Sequence, residues 1–205
     1  MEMKTFLRWT CATAALALLG VLCQVALAEE LKTPPSPEVL LKALADAGQP
    51  GAEHKKLEPL VGQWNFTMKF WTDPNQPPAQ LQGTVERKWI MDGRFVQETV
   101  HGQCATTGKS CEGMGLLGYN AAEKQFTCVR ACGLSGTLTS STVSCDSSGK
   151  RFEGVKEETC PLTHQKVKAR DELAIESNDR VVANFYKTID GREVKFAEMV
   201  SIRQK

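Results

Sequence analysis

The segment Leu60–Gly102, LVGQWNFTMKFWTDPNQPPAQLQGTVERKWIMDGRFVQETVHG, constrains the fold more than any other stretch, because apolar and polar residues alternate on both sides of an Asp-Gly turn. Asp92-Gly93 supplies the positive φ angles that a two-residue type I′ hairpin requires. Counting away from that turn sets Met91 opposite Arg94, Trp89 opposite Val96, Arg87 opposite Glu98 and Val85 opposite Val100, all on one face, since strand side chains alternate with period two. The other face carries Thr84, Glu86, Lys88, Gln97, Thr99 and His101. The first face is the apolar one and therefore the core. It contains a directly opposed Arg87 and Glu98, an inward ion pair that is the first sign of a site.

Turn signals such as Asp146-Ser147-Ser148-Gly149, Ser177-Asn178-Asp179 and Asp190-Gly191 divide the rest of the chain. They predict strands at 62–72, 80–91, 94–102, 112–119, 125–132, 136–145, 151–159, 166–176, 180–189 and 192–203. Short strands at regular spacing without intervening helices describe an all-β fold, an antiparallel up-and-down meander of about ten strands closed into a barrel. Closure removes the sheet edges that would otherwise aggregate. Trp64, Phe66, Met68 and Phe70 share one face of the first strand. A strict count from Asp190-Gly191 joins Val181, Ala183 and Phe185 with Val194, Phe196, Glu198, Val200 and Ile202, which places Glu198 inward. Asp171 shares the parity of Val167, Ala169, Leu173 and Ile175 and is expected inward as well.

The first residues have the pattern of a secretory signal: Lys4 and Arg8, an apolar run from Cys11 to Val25, then Ala26-Leu27-Ala28. Cleavage is expected after Ala28, and the protein is then exported, to a periplasm or to the outside of the cell. The apolar run is shorter than the ~20 residues a membrane-crossing helix needs, so no stable membrane insertion is expected after cleavage. Residues 29–56 read as a linker and short N-terminal helix, with Ser36-Pro37-Glu38 as its start, and residues 57–205 as the barrel domain. The whole chain carries a formal charge of +1. Removing Lys4, Arg8 and Glu2 with the leader makes the remainder neutral, which gives no electrostatic reason to expect nucleic acid as a partner.

Two of the eight cysteines, Cys11 and Cys23, lie in the leader, which leaves Cys104, Cys111, Cys128, Cys132, Cys145 and Cys160. An even number in an exported chain reads as a disulfide framework. Cys128 and Cys132, if on one strand, are ~13 Å apart and cannot pair with each other. Hairpin counting brings Cys104, Cys111, Cys132 and Cys160 to one rim, with Cys104 and Cys111 as the best single pair among many connectivities. No second cysteine pair or suitably spaced histidine accompanies Cys128 and Cys132, which argues against zinc.

Gly62-x-Trp64 at the start of the first strand resembles the opening motif of lipocalins and other calycin barrels. In those families a basic residue of the final strand packs over the tryptophan, and the resemblance makes Arg203 its counterpart, on the face that the period-two count assigns to solvent. The wider pattern of LVGQW, RKWIMDGRFV, GLLGYN, VKARDEL and DGREVKFAEM is similar to DUF1579, a bacterial exported family of unknown function, over roughly Leu57 to Lys205. That resemblance implies a lipocalin-like barrel and brings no activity.

Arg87, Glu98, Asp171 and Glu198 are the polar groups expected inside an apolar barrel, where each must pair, hydrogen-bond or bind something. With Trp89 and Phe70 they form the candidate ligand site, one that would take a small, partly apolar or amphipathic molecule. Trp64, Phe66, Phe185 and Phe196 would complete the apolar lining or simply fill the core. A barrel filled by its own side chains, serving a structural or protein-interaction role, is the alternative. A hydrolase or isomerase using Glu98, Asp171 or Glu198 is a third reading. None of His54, His101 and His164 is expected to face inward, which gives no haem ligand, and no cofactor is expected. Gly133-Leu134-Ser135-Gly136 lacks the spacing of a nucleophile elbow. Asn65-Phe66-Thr67, a formal glycosylation acceptor, reads as strand.

Overall fold

A computed structural model of the protein describes residues 34–73, 75–160 and 163–205; the leader expected at 1–28 lies outside them. The described residues up to Asp46 and those from Ala47 onward fall into two units. Helix α1 (Pro37–Ala47), which ends at that boundary, begins where the Ser36 carbonyl accepts from the Leu40 N–H at 3.0 Å. Its Val39, Leu40, Leu41 and Leu44 are exposed.

The second unit starts with a short helix α2 (Ala52–Lys55) and a 3₁₀ turn (Glu58–Leu60). Ten strands follow: β1 (Gly62–Phe70), β2 (Ala79–Ile90), β3 (Phe95–Cys104), β4 (Ser110–Asn120), β5 (Gln125–Cys132), β6 (Thr137–Cys145), β7 (Arg151–Thr159), β8 (Lys166–Ser177), β9 (Arg180–Ile189) and β10 (Arg192–Arg203). Each pairs antiparallel with its neighbour in sequence, and β10 closes on β1, with Trp64 opposite Arg203. Turn chemistry accounts for the register. Asp92 and Gly93 have φ of 55° and 81°, and Asp190 and Gly191 have 49° and 74°, the left-handed pairs that match the twist of a hairpin. Arg87 therefore stands opposite Glu98, and Trp89 opposite Val96.

One end of the barrel is closed. Leu57 and Leu60, from the segment that precedes β1, are buried with Trp64, Val85, Val96, Phe126, Val143, Phe152, Ile175 and Val181. His54 adds an edge contact on Tyr119, with ring centroids 5.9 Å apart, and Tyr119 continues onto Phe126 and Phe152 at 5.0 and 5.5 Å. The other end is a mouth, where Phe70, Cys104, Cys132, Cys160 and Ile189 stand at or beside the strand ends. Inward-facing Met68, Val100, Phe185 and Met199, on that side, are only half-buried. The barrel is thus a cup with a packed floor.

The last strand departs from the strict alternation. The register with β9 shifts between Lys195 and Ala197, so one extra residue, Phe196, occupies a bulge. Past the bulge the parity inverts: Ala197, Met199 and Ser201 stand opposite Phe185, Ala183 and Val181 on the inner face. Glu198, Val200 and Ile202 turn outward. The expectation that Glu198 lies inside is corrected by this single inserted residue. The same inversion carries Arg203 to the inner side, where its guanidinium lies 4.2 Å from the centroid of the Trp64 ring.

Candidate functional site

Between floor and mouth the inner wall carries a row of cross-strand partners: Arg87 on β2, Glu98 on β3, Gly115 on β4 and Arg130 on β5. Gly115 has no side chain to separate Glu98 from Arg130. Arg87 Nε donates to Glu98 Oε2 at 2.7 Å, and Arg130 Nε lies 3.9 Å from Glu98 Oε1. Arg130 then spans the lumen, donating from Nη1 to Asp171 Oδ2 on β8 at 3.1 Å. Lys156 on β7 donates to both oxygens of Asp171, at 3.2 and 2.9 Å. Side chains from five strands therefore form one chain of charge, Arg87–Glu98–Arg130–Asp171–Lys156.

The electrostatics follow from the count of groups. Three cations face two carboxylates, so the cluster carries one net positive charge inside the barrel. Burial pushes the Glu98 carboxyl up, but Arg87 and Arg130 outweigh it and hold it below the usual carboxylate range. Beside the row, Cys128 is buried, and burial raises its thiol despite Arg130 and Lys156. Arg87 is only 6% exposed, and its Nη1 is buried without a hydrogen-bond partner. A small void of about 30 Å³ touches it, lined in part by Leu60, Val96, Leu117 and Cys128. That is room for about one water molecule, not for a larger ligand. Arg130 differs: although it points inward, 37% of its side chain is accessible. Solvent reaches the upper part of the cluster.

Of the six side chains expected at a site, three meet here: Arg87, Glu98 and Asp171. Phe70 ends β1 at the mouth and stands half-buried, apart from the charges. Trp89 lies at the closed end, where its Nε1 donates to Glu58 Oε2 at 2.7 Å, so it braces the floor rather than lining the cup. Glu198 pairs with Lys195 on the outer surface, and that partner outweighs burial to hold its carboxyl low. Arg130 and Lys156 were not anticipated. A parity signal for both exists in the sequence: Phe126, Cys128 and Arg130 alternate on β5, as Phe152, Gly154 and Lys156 do on β7.

The disulfide framework also needs correction. Cys104, Cys111, Cys128, Cys132 and Cys145 are thiols. Cys128 faces Leu117 and Ser141 in the middle of the wall, whereas Cys145 faces Phe152 near the floor. Four strand positions separate Cys128 from Cys132, and four separate its neighbour Ser141 from Cys145, a span of ~13 Å in each case. This is beyond disulfide reach. The register leaves Cys128 and Cys145 without a partner cysteine, so a staple that joins all six cannot form in this barrel.

The family DUF1579, described as a protein of unknown function, matches residues 49–203. No curated protein matches by sequence. Among solved structures, an S-type phycobiliprotein lyase, CPES, from Guillardia theta is similar with a TM-score of 0.54 and 10% identity, covering 84% of this chain and 99% of that one. This likeness concerns the fold alone. EF1p2_mFAP2b, solved bound to DFHBI, is similar at 12% identity and a TM-score of 0.43, over 75% of this chain and all (100%) of that one.

Proposed function

We propose, for a chain that belongs to the DUF1579 family, that the barrel is an exported binding protein for a small amphipathic molecule with an anionic end. The observation that carries this reading is Arg130, a lumen-facing guanidinium that is 37% accessible in a cluster with one more cation than carboxylates. A carboxylate or similar group, entering from the mouth, would restore charge balance and gain charge-assisted hydrogen bonds. Its apolar body would lie against Met68, Val100, Phe185 and Met199, the half-buried inner wall. Sites of this kind are mostly apolar with a few convergent polar groups. Glu98, held ionised between two arginines, suits orienting Arg87 and Arg130 better than donating a proton, which weighs against acid catalysis. The export signal at residues 1–28 is the basis for the compartment in this reading.

Decanoate and decanol test it, because they share a tail and differ in charge. In calorimetric titrations of the full-length barrel without its leader, decanoate is expected to bind saturably and decanol at least about tenfold more weakly, the value of one hydrogen bond to a charged group. The Arg130→Met variant should lose that preference. Equal binding of the two, or no saturable binding of either, would overturn the assignment.

A further inference from the structure

Three sequence segments that begin at the mouth recur at intervals of 28 residues: Cys-Ala-Thr-Thr-Gly from Cys104, Cys-Gly-Leu-Ser-Gly from Cys132 and Cys-Pro-Leu-Thr-His from Cys160. The fifth position of each is left-handed, with φ of 67° at Gly108, 63° at Gly136 and 57° at His164. In the first turn the Cys104 N–H donates to Lys109 O at 2.9 Å and the Gly108 N–H to Cys104 O at 2.8 Å. The third repeats this, with Cys160 N–H to Gln165 O at 2.8 Å and His164 N–H to Cys160 O at 2.9 Å.

At Cys104 the neighbouring Thr107 hydroxyl and the Thr107 and Thr106 N–H groups favour the thiolate. Cys132 is held in the same way: burial opposes ionisation there, and the Ser135 hydroxyl with the Ser135 and Leu134 N–H groups outweighs it. Cys111 is the contrasting thiol. It faces Gly102 across the β3–β4 ladder, two positions from Cys104 on the same face, and its sulfur lies 2.9 Å from where a Cβ on residue 102 would stand. Only glycine at 102 leaves that seat. Burial, then the nearby Cys132 and Cys104 sulfurs, raise the Cys111 thiol.

We propose that Cys104 and Cys111 form a thiol–disulfide exchange site at the mouth of the barrel, acting on low-molecular-weight disulfides. The turn-held Cys104 thiolate attacks one sulfur of the small disulfide, forming a mixed disulfide and expelling one small thiolate. That thiolate takes the Cys111 proton. Cys111 then attacks the Cys104 sulfur, forming the internal disulfide and expelling the second small thiolate. Two protein thiols are oxidised and one small disulfide is reduced to two thiols. Diagonal neighbours on adjacent strands lie ~7–8 Å apart between Cα atoms, so closing the bond requires the Cys104 turn to move inward by about an ångström. Cys104 and Cys111 are both half-buried inside the mouth, whereas Cys132 is exposed. Cys104 and Cys111 flank one hairpin turn, whose movement alone closes the bond, whereas Cys132 ends the next strand, β5; that connection assigns the attack to Cys104.

Glutathione disulfide, incubated with the reduced full chain and followed by intact mass and peptide mapping, tests the site. The expected result is the loss of two hydrogens with a Cys104–Cys111 link. Cys111→Ser should stop at a glutathione adduct on Cys104, and Cys104→Ser should slow the reaction at Cys111 at least tenfold. Cys132→Ser should leave the link unchanged, and circular dichroism confirms that each variant is folded. A stable adduct in the parent, a Cys111–Cys132 link, or no reaction of the folded parent would overturn the proposal.

Discussion

Arg203 lies over the ring of Trp64, 4.2 Å from its centroid, and from there ties the last residues of the chain to the segment that enters the barrel. Its Nη1 donates to Val61 O at 2.6 Å, its Nη2 to Pro59 O at 2.8 Å and its Nε to Asn178 O at 2.7 Å. Trp64 in turn donates from Nε1 to Leu60 O at 2.9 Å. One guanidinium thus satisfies carbonyls of the closing segment, caps a buried aromatic face and joins the two ends of the barrel domain.

Replacing Arg203 by Met keeps much of the packing and removes the donors. Hydrogen bonds from a charged group contribute about 1.5–3 kcal/mol each, so with partial solvent access a loss of about 2–4 kcal/mol is expected in urea unfolding. A change below about 0.5 kcal/mol, the scale of a neutral surface substitution, would contradict this role.

Gly62 is required by the same contact. Its φ of 132° is one that side chains rarely adopt, and a Cβ there would stand 2.4 Å from Arg203 Nη1. Gly62→Ala should lower stability by about 1–3 kcal/mol, the range of a strained backbone position. Combining it with Arg203→Met should cost less than the two separate losses, because the clash disappears with the guanidinium. Additive losses in thermal unfolding would show that the contact is not shared.

Breaking the interior pair tests its burial. Arg87→Met leaves Glu98 without its 2.7 Å partner, and a loss of about 3–5 kcal/mol is expected for a buried pair broken on one side. The double variant Arg87→Met with Glu98→Leu removes both charges and should recover at least about half of that loss. Denaturant midpoints decide it; a double variant as unstable as the single would mean that Arg87 acts through packing alone.

Glu98 also makes stability depend on acid. Its folded-state carboxyl is held low by Arg87 and Arg130 against burial, so its contribution is fully present above the unfolded value of about 4.3 and is lost as pH falls through the folded value. The stability difference between the parent and Glu98→Gln should therefore be largest near neutrality and shrink below about pH 4. A difference that stays constant from pH 7 to pH 3 would assign the effect to shape and not to charge.

His54 acts higher on the pH scale. Burial and then Arg94 lower its folded-state value, with Glu53 opposing, and its Nδ1 accepts the Gly51 N–H at 3.0 Å. The neutral ring contributes stability above the unfolded value of about 6.5, and that contribution falls as pH drops through the lower folded value. The floor should loosen in mild acid, seen as faster amide exchange around Leu57 and Leu60 at pH 5 than a His54→Phe variant shows. Equal pH dependence in both would remove His54 from this role.

Local chemistry in the sequence determined most of the barrel: the Asp92-Gly93 and Asp190-Gly191 turns fix hairpin register through their own dihedral angles, and alternation then assigns faces a few residues away. The opposition of Arg87 to Glu98 follows from that alone, as does the inward parity of Asp171. Tertiary structure decided what lies beyond the reach of a turn. The bulge at Phe196 inserts one residue into the pairing of β10 with β9 and inverts every later residue, which sends Glu198 out and Arg203 in. Arg130 meets Asp171 only because closure brings β5 and β8, not sequence neighbours, to opposite sides of one lumen. Period-two patterning reports which side of a strand faces inward, but the partners met across the lumen depend on how the whole sheet curls.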